Sequence, residues 1–320
     1  MRVGLPVGPG HGEEDPSLFA TSIVGLALSA SDDPLARSIA DRAARYLRGQ
    51  MEPPGVWRHW LSEHPQYDAL PPDADDTACV SCVLRRHGID FPDNSSLLLA
   101  NRDRRGRFYT WLVPRRSHPA AALAIWRPAL RRGRHPVLAQ LFWRRTSAAP
   151  YDVDAVVNAG VLLYLGDGAH ARPVVSYLLE VLARREMAHC DKWYRSPFLF
   201  YAAVSRCAEA GVSGLEEAGM TIAARIAAAT SKDGQIGAGP VDTALGLTAL
   251  TIWNVESRTC ARAARYLVTS QSSDGSWPAE PVYFGGPPED PQVPSWGSEE
   301  LTTALCVEAL SRNNGSMRGR

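Results

Sequence analysis

The sequence has little that would set it apart from ordinary globular proteins of a reducing compartment. Its 34 Lys and Arg residues balance 34 Asp and Glu residues, so its net charge gives no reason to expect nucleic acid as a partner. Six cysteines in 320 residues are too few for a disulfide scaffold, and most lie in apolar, helix-like surroundings. Residues 1–15 lack the pattern of a signal peptide, and no stretch has the roughly 18 apolar residues of a membrane span. We therefore expect a cytoplasmic protein.

Motifs for common cofactors are missing as well. The sequence contains no Gly-x-x-x-x-Gly-Lys loop, no His-Glu-x-x-His pair and no separate aspartate-rich motif for magnesium. The pair Cys79 and Cys82 has metal-ligand spacing but no second pair or histidine partner. We expect no cofactor and no protein-bound metal.

One stretch contains more carboxylates than the capping of a helix requires. It is Pro71-Pro72-Asp73-Ala74-Asp75-Asp76-Thr77-Ala78. Aspartate is a favoured N-cap and acids suit a first turn, which would explain one of the three carboxylates. Three carboxylates within four residues cannot all ionise cheaply, so at least one should keep its proton near neutral pH. The stretch therefore predicts a positioned Brønsted acid.

Apolar segments alternate with amphipathic ones along the rest of the chain, and strand signals are nearly absent. Six apolar and six amphipathic helices suggest an inner and an outer layer, which is an all-α (α/α)6 barrel, a toroid of six helical hairpins. We expect a leader at 1–14, the barrel at 15–311 and a flexible tail at 312–320. The inner helices are predicted at Ser17–Ala30, Asp76–Arg86, Asp154–Leu165, Pro197–Ala208, Val241–Trp253 and Glu299–Leu310. The outer helices are predicted at Pro34–Arg48, Ser95–Asn101, Pro136–Arg144, Arg172–Arg185, Leu215–Ala229 and Ser257–Ser270.

A short sequence repeat follows two of the predicted outer helices. Gln50 is followed by Gly55 and Trp57, and Gln271 is followed by Gly275 and Trp277. Glycine suits the turn, and the tryptophan can cap a helix end, so we interpret these residues as scaffold.

The acid stretch together with this Gln/Gly/Trp repeat resembles the class II terpene cyclases, the squalene-hopene cyclase group. That family carries Asp-x-Asp-Asp followed by Thr-Ala, which this chain matches from Asp73 to Ala78. The segments from Asp152 through Asn158 to Gly166, and from Trp296 to Ala304, resemble single-barrel members of the group. The resemblance implies that Asp75 protonates a terminal alkene of a linear isoprenoid or a prenylated aromatic. The resulting carbocation then cyclises, while Asp73 and Asp76 hold Asp75 in place.

Further residues are expected to bind the substrate. Acids at the starts of parallel inner helices gather at one rim, where Asp154, Asp242, Glu299 or Glu300 would orient the substrate or take the final proton. Aromatic faces stabilise a carbocation by about 1 to 2 kcal/mol each when desolvated. The substrate-binding set is Tyr109, Trp111, Asp154, Asn158, Trp193, Tyr194, Phe200, Trp296, Glu299 and Glu300.

Residues 101–150 hold twelve arginines, interleaved with aromatic residues, against the single acid Asp103. This segment is a solvated surface, a peripheral contact with anionic lipid, or a clamp for an anionic substrate head. Other enzymes share the barrel, and three alternatives stay open: a protein prenyltransferase β-subunit, a glycoside hydrolase and a non-catalytic toroid that binds a lipid or a protein. The sequence does not choose the isoprenoid length, the head group, the terminating base or the oligomeric state.

Overall fold

The computed structural model describes residues 16–64, 67–113, 115, 119–120, 123, 143, 148–184, 191–255, 258–286 and 293–318. Within them the chain forms eleven α-helices and one pair of two-residue strands. The helices are α1 Leu18–Leu28, α2 Pro34–Gly49, α3 Ala74–Arg86, α4 Ser95–Ala100, α5 Ala155–Leu165, α6 Ala171–Ala183, α7 Pro197–Glu209, α8 Ala218–Ala228, α9 Pro240–Ile252, α10 Arg258–Thr269 and α11 Glu299–Arg318. The strands are β1 Tyr283–Phe284 and β2 Ser295–Trp296.

The odd-numbered helices form a closed inner ring. Each of α1, α3, α5, α7, α9 and α11 packs against the next, and α11 returns to pack against α1. These helices are apolar on most of their surface, so each can be covered by neighbours on several sides. The all-α toroid predicted from the alternating pattern is confirmed.

The even-numbered helices lie outside the ring. In α2 the buried residues Ala36, Ala40, Ala44 and Leu47 recur every three or four positions, so one stripe faces the inner helices and the rest faces solvent. The described residues contain five such outer helices. The predicted sixth, Pro136–Arg144, lies outside the described residues except for Trp143.

The Gln/Gly/Trp repeat joins outer helices to the inner helices that follow them. Trp57 donates its indole N–H to the Leu47 carbonyl at 2.8 Å, and Trp277 makes the same bond to Leu267 at 2.9 Å. Gly55 and Gly275 have φ values of 105° and 87°, a backbone region that favours glycine. Each tryptophan therefore caps the last turn of an outer helix, as scaffold residues would.

The turn that carries Trp57, and a second turn that carries Phe108, are each fixed to an inner helix by a polar side chain. The Trp57 N–H donates to Thr77 Oγ1 at 3.2 Å, and the Phe108 N–H donates to Asn158 Oδ1 at 2.8 Å. Asn158 also donates to the carbonyls of Phe108 and Asp154. The amide of Asn158 is thus fully buried, and its bonds to backbone connect α5 with the turn that carries Phe108.

Two features differ from the sequence-based expectation. The antiparallel strands pair Tyr283 with Trp296, although no strand was predicted there. Helix α11 continues to Arg318, through most of the segment expected to be a flexible tail. The continuation is supported by Arg312, which pairs with Glu308 one turn earlier and with Glu209 on α7. In the described part of the chain, no helix combines the length and the apolar character needed to cross a membrane.

Candidate active site

The acid stretch lies at the N-terminus of α3. Asp73 is the N-cap, and its Oδ1 accepts the Asp76 N–H at 2.7 Å. The Ala74 N–H donates to the Thr110 carbonyl at 2.8 Å, which ties the motif to the segment that follows α4. Asp75 and Asp76 follow in the first turn, and all three aspartates are buried. Capping therefore accounts for Asp73 alone, and the other two carboxyls are enclosed without serving as caps.

Asp75, in the first turn of this helix, is a buried carboxyl with a raised pKa. Burial raises its pKa to about 7, and the charges of Asp73 and Asp154 act in the same direction. The Tyr194 hydroxyl donates to Asp75 Oδ2, which opposes part of this rise because it favours the carboxylate. On the other oxygen, Cys79 Sγ lies 3.8 Å from Oδ1. A large fraction of Asp75 is thus protonated at neutral pH.

Asp73 and Asp76 form a carboxyl pair beside it. Burial raises the pKa of Asp73 to about 6, while a hydrogen bond from Asp76 and the positive charge of Arg58 limit the rise. Burial and the neighbouring Asp73 charge raise the pKa of Asp76 well above its usual value. Asp76 Oδ1 is buried and has no hydrogen-bond partner among the described residues, and Oδ2 lies 3.9 Å from Nδ1 of His59.

A second group of buried acids lies on the far side of Tyr194. Asp191 accepts the N–H groups of Val156, Trp193 and Tyr194, and so fixes the segment that carries the Tyr194 hydroxyl. Asp154 accepts the Thr110 hydroxyl and the Trp193 indole N–H, the latter at 3.1 Å. Burial raises the pKa of both acids. Negative charge is therefore costly throughout this end of the ring.

Aromatic rings border the acids. Phe19 lies 5.7 Å from Tyr194 and 5.3 Å from Tyr283 between ring centroids. Tyr283 in turn stacks on Trp296 at 5.3 Å, and the His59 ring contacts both at 5.4 and 5.7 Å. We call Phe19, Trp60, Tyr194, Tyr283 and Trp296 the aromatic cluster. The negative faces of these rings attract a cationic intermediate. The side chains of the cluster carry no strongly nucleophilic group.

Some residues of the inner helices are only half-buried. They include Cys79, Cys82, Gly160, Leu163, Ala203 and Val307. Burial raises the pKa of Cys82 to about 12, as expected for a thiol enclosed by protein. At the C-terminal ends of these helices a cavity of about 300 Å³ is lined in part by Leu26, Leu163, Arg206 and Glu308.

The structure brings several predicted site residues to the acids. Tyr194 bonds Asp75, Trp193 bonds Asp154, and Trp111 pairs its backbone with Asp73 while its ring lies 5.6 Å from Trp193. Trp296 belongs to the aromatic cluster.

Other predicted site residues lie elsewhere. Glu299 and Glu300 are exposed in the first turn of α11, because charged groups there face solvent rather than the ring interior. The ring of Tyr109 stacks under Arg115 at 3.6 Å, beside the exposed Tyr151. Phe200 is fully buried on α7 and packs beside Tyr201. These positions do not touch the acid motif.

Sequence reasoning missed Asp191, His59, Arg58 and Tyr283. Asp191 comes shortly before an inner helix, as the predicted rim acids do, and that position was the available signal. His59 follows the repeat tryptophan by two residues, but nothing in the sequence indicates that this turn folds back onto Asp76. Among the described residues, no group of three or more His, Cys, Asp or Glu is arranged to hold a metal ion.

No protein-family model matches the sequence, and no curated protein matches it. The chain is, however, similar to several solved structures. MstE from Scytonema, a type II terpene cyclase solved with its substrate geranylgeranyl dihydroxybenzoate, is 15% identical and matches with a TM-score of 0.70 over 98% of this chain and 92% of that chain. The chain has the fold of the type II terpene cyclases. The ent-copalyl diphosphate synthase of Streptomyces platensis is 21% identical, with a TM-score of 0.61 over 93% of this chain and 50% of that chain.

The type II terpene cyclase fold explains the extent of the two matches. One toroid accounts for nearly all of the MstE chain but only half of the synthase chain. The resemblance drawn from the acid motif and the Gln/Gly/Trp repeat is thereby confirmed at the level of the fold.

Proposed function

We propose that this protein is a class II terpene cyclase that starts the reaction by protonating an alkene from Asp75. The observation that carries the proposal is the state of that carboxyl: it is buried in the first turn of α3, bonded by Tyr194, and its pKa is raised to about 7. A buried carboxyl that keeps its proton up to about neutral pH is the group such a reaction requires.

The two carboxyl oxygens of Asp75 have different surroundings, and this difference indicates which oxygen carries the proton. Oδ2 accepts the Tyr194 hydroxyl, so the acidic proton is best placed on Oδ1. Oδ1 faces Gly160 on α5, where a Cβ atom would lie 3.5 Å from it. The missing side chain leaves space beside the acidic oxygen, and we propose that the terminal alkene of the substrate occupies it.

Proton transfer breaks the Asp75 O–H bond and forms a C–H bond with the alkene electron pair. The carboxylate left behind is stabilised by the Tyr194 hydroxyl and by the N-terminal dipole of α3. The new carbocation is attracted by aromatic faces, each by about 1 to 2 kcal/mol when desolvated. Further double bonds of the chain then attack it in turn to close rings, so the overall reaction is an isomerisation.

We propose a prenylated aromatic as the substrate class, with a linear isoprenoid as the part that cyclises. The support is the likeness to MstE, which is described with geranylgeranyl dihydroxybenzoate as substrate and merosterolic acid A as product. The aromatic cluster beside the acids agrees with an apolar isoprenoid chain.

We also propose that residues 101–150 rest on anionic lipid, from which such a substrate would be taken up. The support is the excess of arginine over acid in this segment, since polybasic surfaces bind anionic membranes. Flotation with phosphatidylserine vesicles should carry the protein to the top of the gradient. Equal flotation with neutral vesicles, or none with either, would count against this contact.

The function is tested by incubating the protein with geranylgeranyl dihydroxybenzoate, its farnesyl analogue, geranylgeranyl diphosphate and squalene, followed by product analysis. We expect a cyclic isomer from a prenylated aromatic. Asp75→Asn should lower the rate by about 10³-fold or more, as for loss of a positioned acid. Asp242→Asn is the matched control, because Asp242 also lies at an inner-helix start but bonds Ser196 and the Ala238 N–H. Full activity of Asp75→Asn would overturn the proposed function.

A further inference from the structure

The first turn of α5 is capped by a residue from another part of the chain. Asp154 occupies the N-cap position of this helix, yet its carboxylate makes no capping bond and instead accepts bonds from Thr110 and Trp193. The carboxylate of Asp191 does the capping, because its Oδ2 accepts the Val156 N–H at 2.9 Å. Val156 is the second residue of α5, so an N-cap side chain would ordinarily make this bond.

The other oxygen of Asp191 binds the segment that carries Tyr194. Oδ1 accepts the Trp193 N–H at 2.9 Å and the Tyr194 N–H at 3.2 Å. Asp191 is 2% exposed, so water does not compete for these bonds. One carboxylate therefore joins the N-terminus of α5 to the backbone of Tyr194.

Both partners of Asp191 lead to the acid Asp75. The Tyr194 hydroxyl donates to Asp75 Oδ2. Gly160 lies on α5 one turn after Val156, and a Cβ atom added to it would lie 3.5 Å from Asp75 Oδ1. The helix and the tyrosine thus flank the two oxygens of the same carboxyl. Because Asp191 binds both, it determines where the hydroxyl lies relative to Oδ2.

The charged groups around Asp191 are mainly acids. Burial raises the pKa of Asp191 well above its usual value, and the charges of Asp154 and Asp75 act in the same direction. The neighbouring Lys192 pairs with Asp152 instead. A negative charge on Asp191 would raise the pKa of Asp75, whereas the Tyr194 hydroxyl lowers it. Charge and position therefore predict opposite effects when Asp191 is removed.

We propose that Asp191 is a positioning residue for the acid Asp75, which sets the Tyr194 hydroxyl against Oδ2 by joining the backbone of Tyr194 to α5. This inference rests on the proposed function. Asp191 forms and breaks no covalent bond in the reaction. Its effect on the rate passes through Tyr194 to the strength of the acid that protonates the alkene.

The test is the pH–rate profile of Asp191→Ala with geranylgeranyl dihydroxybenzoate. Without the three bonds to Asp191, the Tyr194 hydroxyl should no longer be fixed against Oδ2. The alkaline limb of the profile should then move upward from about 7 by about one pH unit, as expected when a hydrogen bond to a carboxylate is lost. The double variant Asp191→Ala with Tyr194→Phe should have its limb where Tyr194→Phe alone has it, because both changes remove the same interaction.

Two variants serve as controls. Glu280 also caps an inner helix from outside that helix, since it accepts the Val241 N–H of α9 at 2.7 Å. Glu280→Ala should therefore lower stability but leave the alkaline limb near 7. Asp191→Asn keeps a carbonyl oxygen that can accept the N–H groups of Trp193 and Tyr194, so its limb should also stay near 7.

Asp191→Leu, which fills the buried site without an acceptor, replaces Asp191→Ala if the latter does not fold. An unchanged limb in a folded variant without the carboxyl would overturn the positioning role. A downward shift would overturn it in favour of an effect of charge. A limb in the double variant above that of Tyr194→Phe would overturn the route through the tyrosine. Failure of the wild-type protein to cyclise any substrate would instead overturn the proposed function.

Discussion

Both ends of the inner ring bury carboxyl groups, but they neutralise them differently. At the C-terminal end Glu308, which is 1% exposed, accepts Arg206 Nη2 at 2.6 Å and Arg312 Nε at 2.9 Å. At the N-terminal end Asp75 contacts a tyrosine and a thiol, and the acids around it add further negative charge. One end is neutral through ion pairing and the other through retained protons.

The difference shows how one chemical group serves stability or chemistry according to its neighbours. A guanidinium in direct contact gives a buried glutamate a charged partner and fixes helices α7 and α11 together. Without such contact a buried carboxyl keeps its proton, and this proton is available for transfer. Arg58 lowers the pKa of Asp73 but is itself paired with Glu52, so it does not neutralise the motif.

The largest expected change in stability follows from breaking the ion pair at the C-terminal end. Arg206→Ala should lower the free energy of unfolding by about 3 kcal/mol, because Glu308 loses one of its two partners in a buried site. Urea denaturation at neutral pH measures the change. The double variant Arg206→Met with Glu308→Leu should recover most of the loss, since it leaves no buried charge unpaired. A double variant as unstable as Arg206→Ala would show that packing, and not pairing, holds this end.

At the N-terminal end of the inner ring, removing a carboxyl group should instead raise the free energy of unfolding. The folded-state pKa of Asp75 is about 7 and its ordinary value is 3.8, so folding favours the protonated form, and stability is lost as pH rises from about 4 through 7. Asp75→Asn should therefore stabilise the protein by roughly 2 to 4 kcal/mol at pH 8, and by much less at pH 5.

Thermal unfolding at the two pH values tests this dependence. Asp233→Asn is the control, because hydrogen bonding from Ser231 lowers the pKa of that exposed turn aspartate and no gain is expected there. A gain for Asp75→Asn that does not change between pH 5 and pH 8 would argue against a buried neutral acid.

A smaller effect is expected at Tyr194, which tunes the acid. Its hydroxyl lowers the pKa of Asp75, so Tyr194→Phe should raise that pKa and move the alkaline limb of the pH–rate profile upward from about 7. The rate on the plateau should fall about tenfold, as expected when a hydrogen bond to a charged group is lost. Tyr201→Phe, which removes a hydroxyl on α7 that lies 3.4 Å from Arg225, should leave the limb in place. If the alkaline limb stays near pH 7 in Tyr194→Phe, the Tyr194 hydroxyl does not influence the pKa of Asp75.

The smallest expected effect is at Gly160, where substitution by alanine should raise stability and lower activity. Gly160→Ala puts a methyl group 3.5 Å from Asp75 Oδ1, which is an ordinary contact and should not unfold α5. Better helix propensity should add about 0.5 to 1 kcal/mol to stability. The methyl group fills space beside the acidic oxygen, so kcat/KM should fall several-fold. Gly49→Ala, where an added Cβ meets nothing within 4 Å, should leave activity unchanged. Unchanged activity of Gly160→Ala would place the alkene elsewhere.

Much of the site could be predicted because it is encoded locally. Asp73, Asp75 and Asp76 are neighbours in one turn of helix, so their mutual repulsion can be inferred without a fold. Tyr194 and Trp193 lie directly before an inner helix, and the parallel ring brings that position to the same end as Asp75. Glu299 and Glu300 occupy an equivalent place in the sequence, yet their side chains point to solvent. Rotation about the helix axis, which separates these cases, depends on packing.

By itself, the sequence determined the helical layers, the acid motif and the capping tryptophans, because helix periodicity and first-turn chemistry act over a few residues. Only the tertiary structure decided which distant groups meet the motif. The Tyr194 hydroxyl reaches Asp75 across 119 positions of sequence. The turn that carries His59 folds onto Asp76, and Arg206 meets Glu308 across the ring instead of meeting the acids. Burial then sets the protonation of each carboxyl, since the cost of a charge depends on its complete surroundings and not on the residues beside it in the chain.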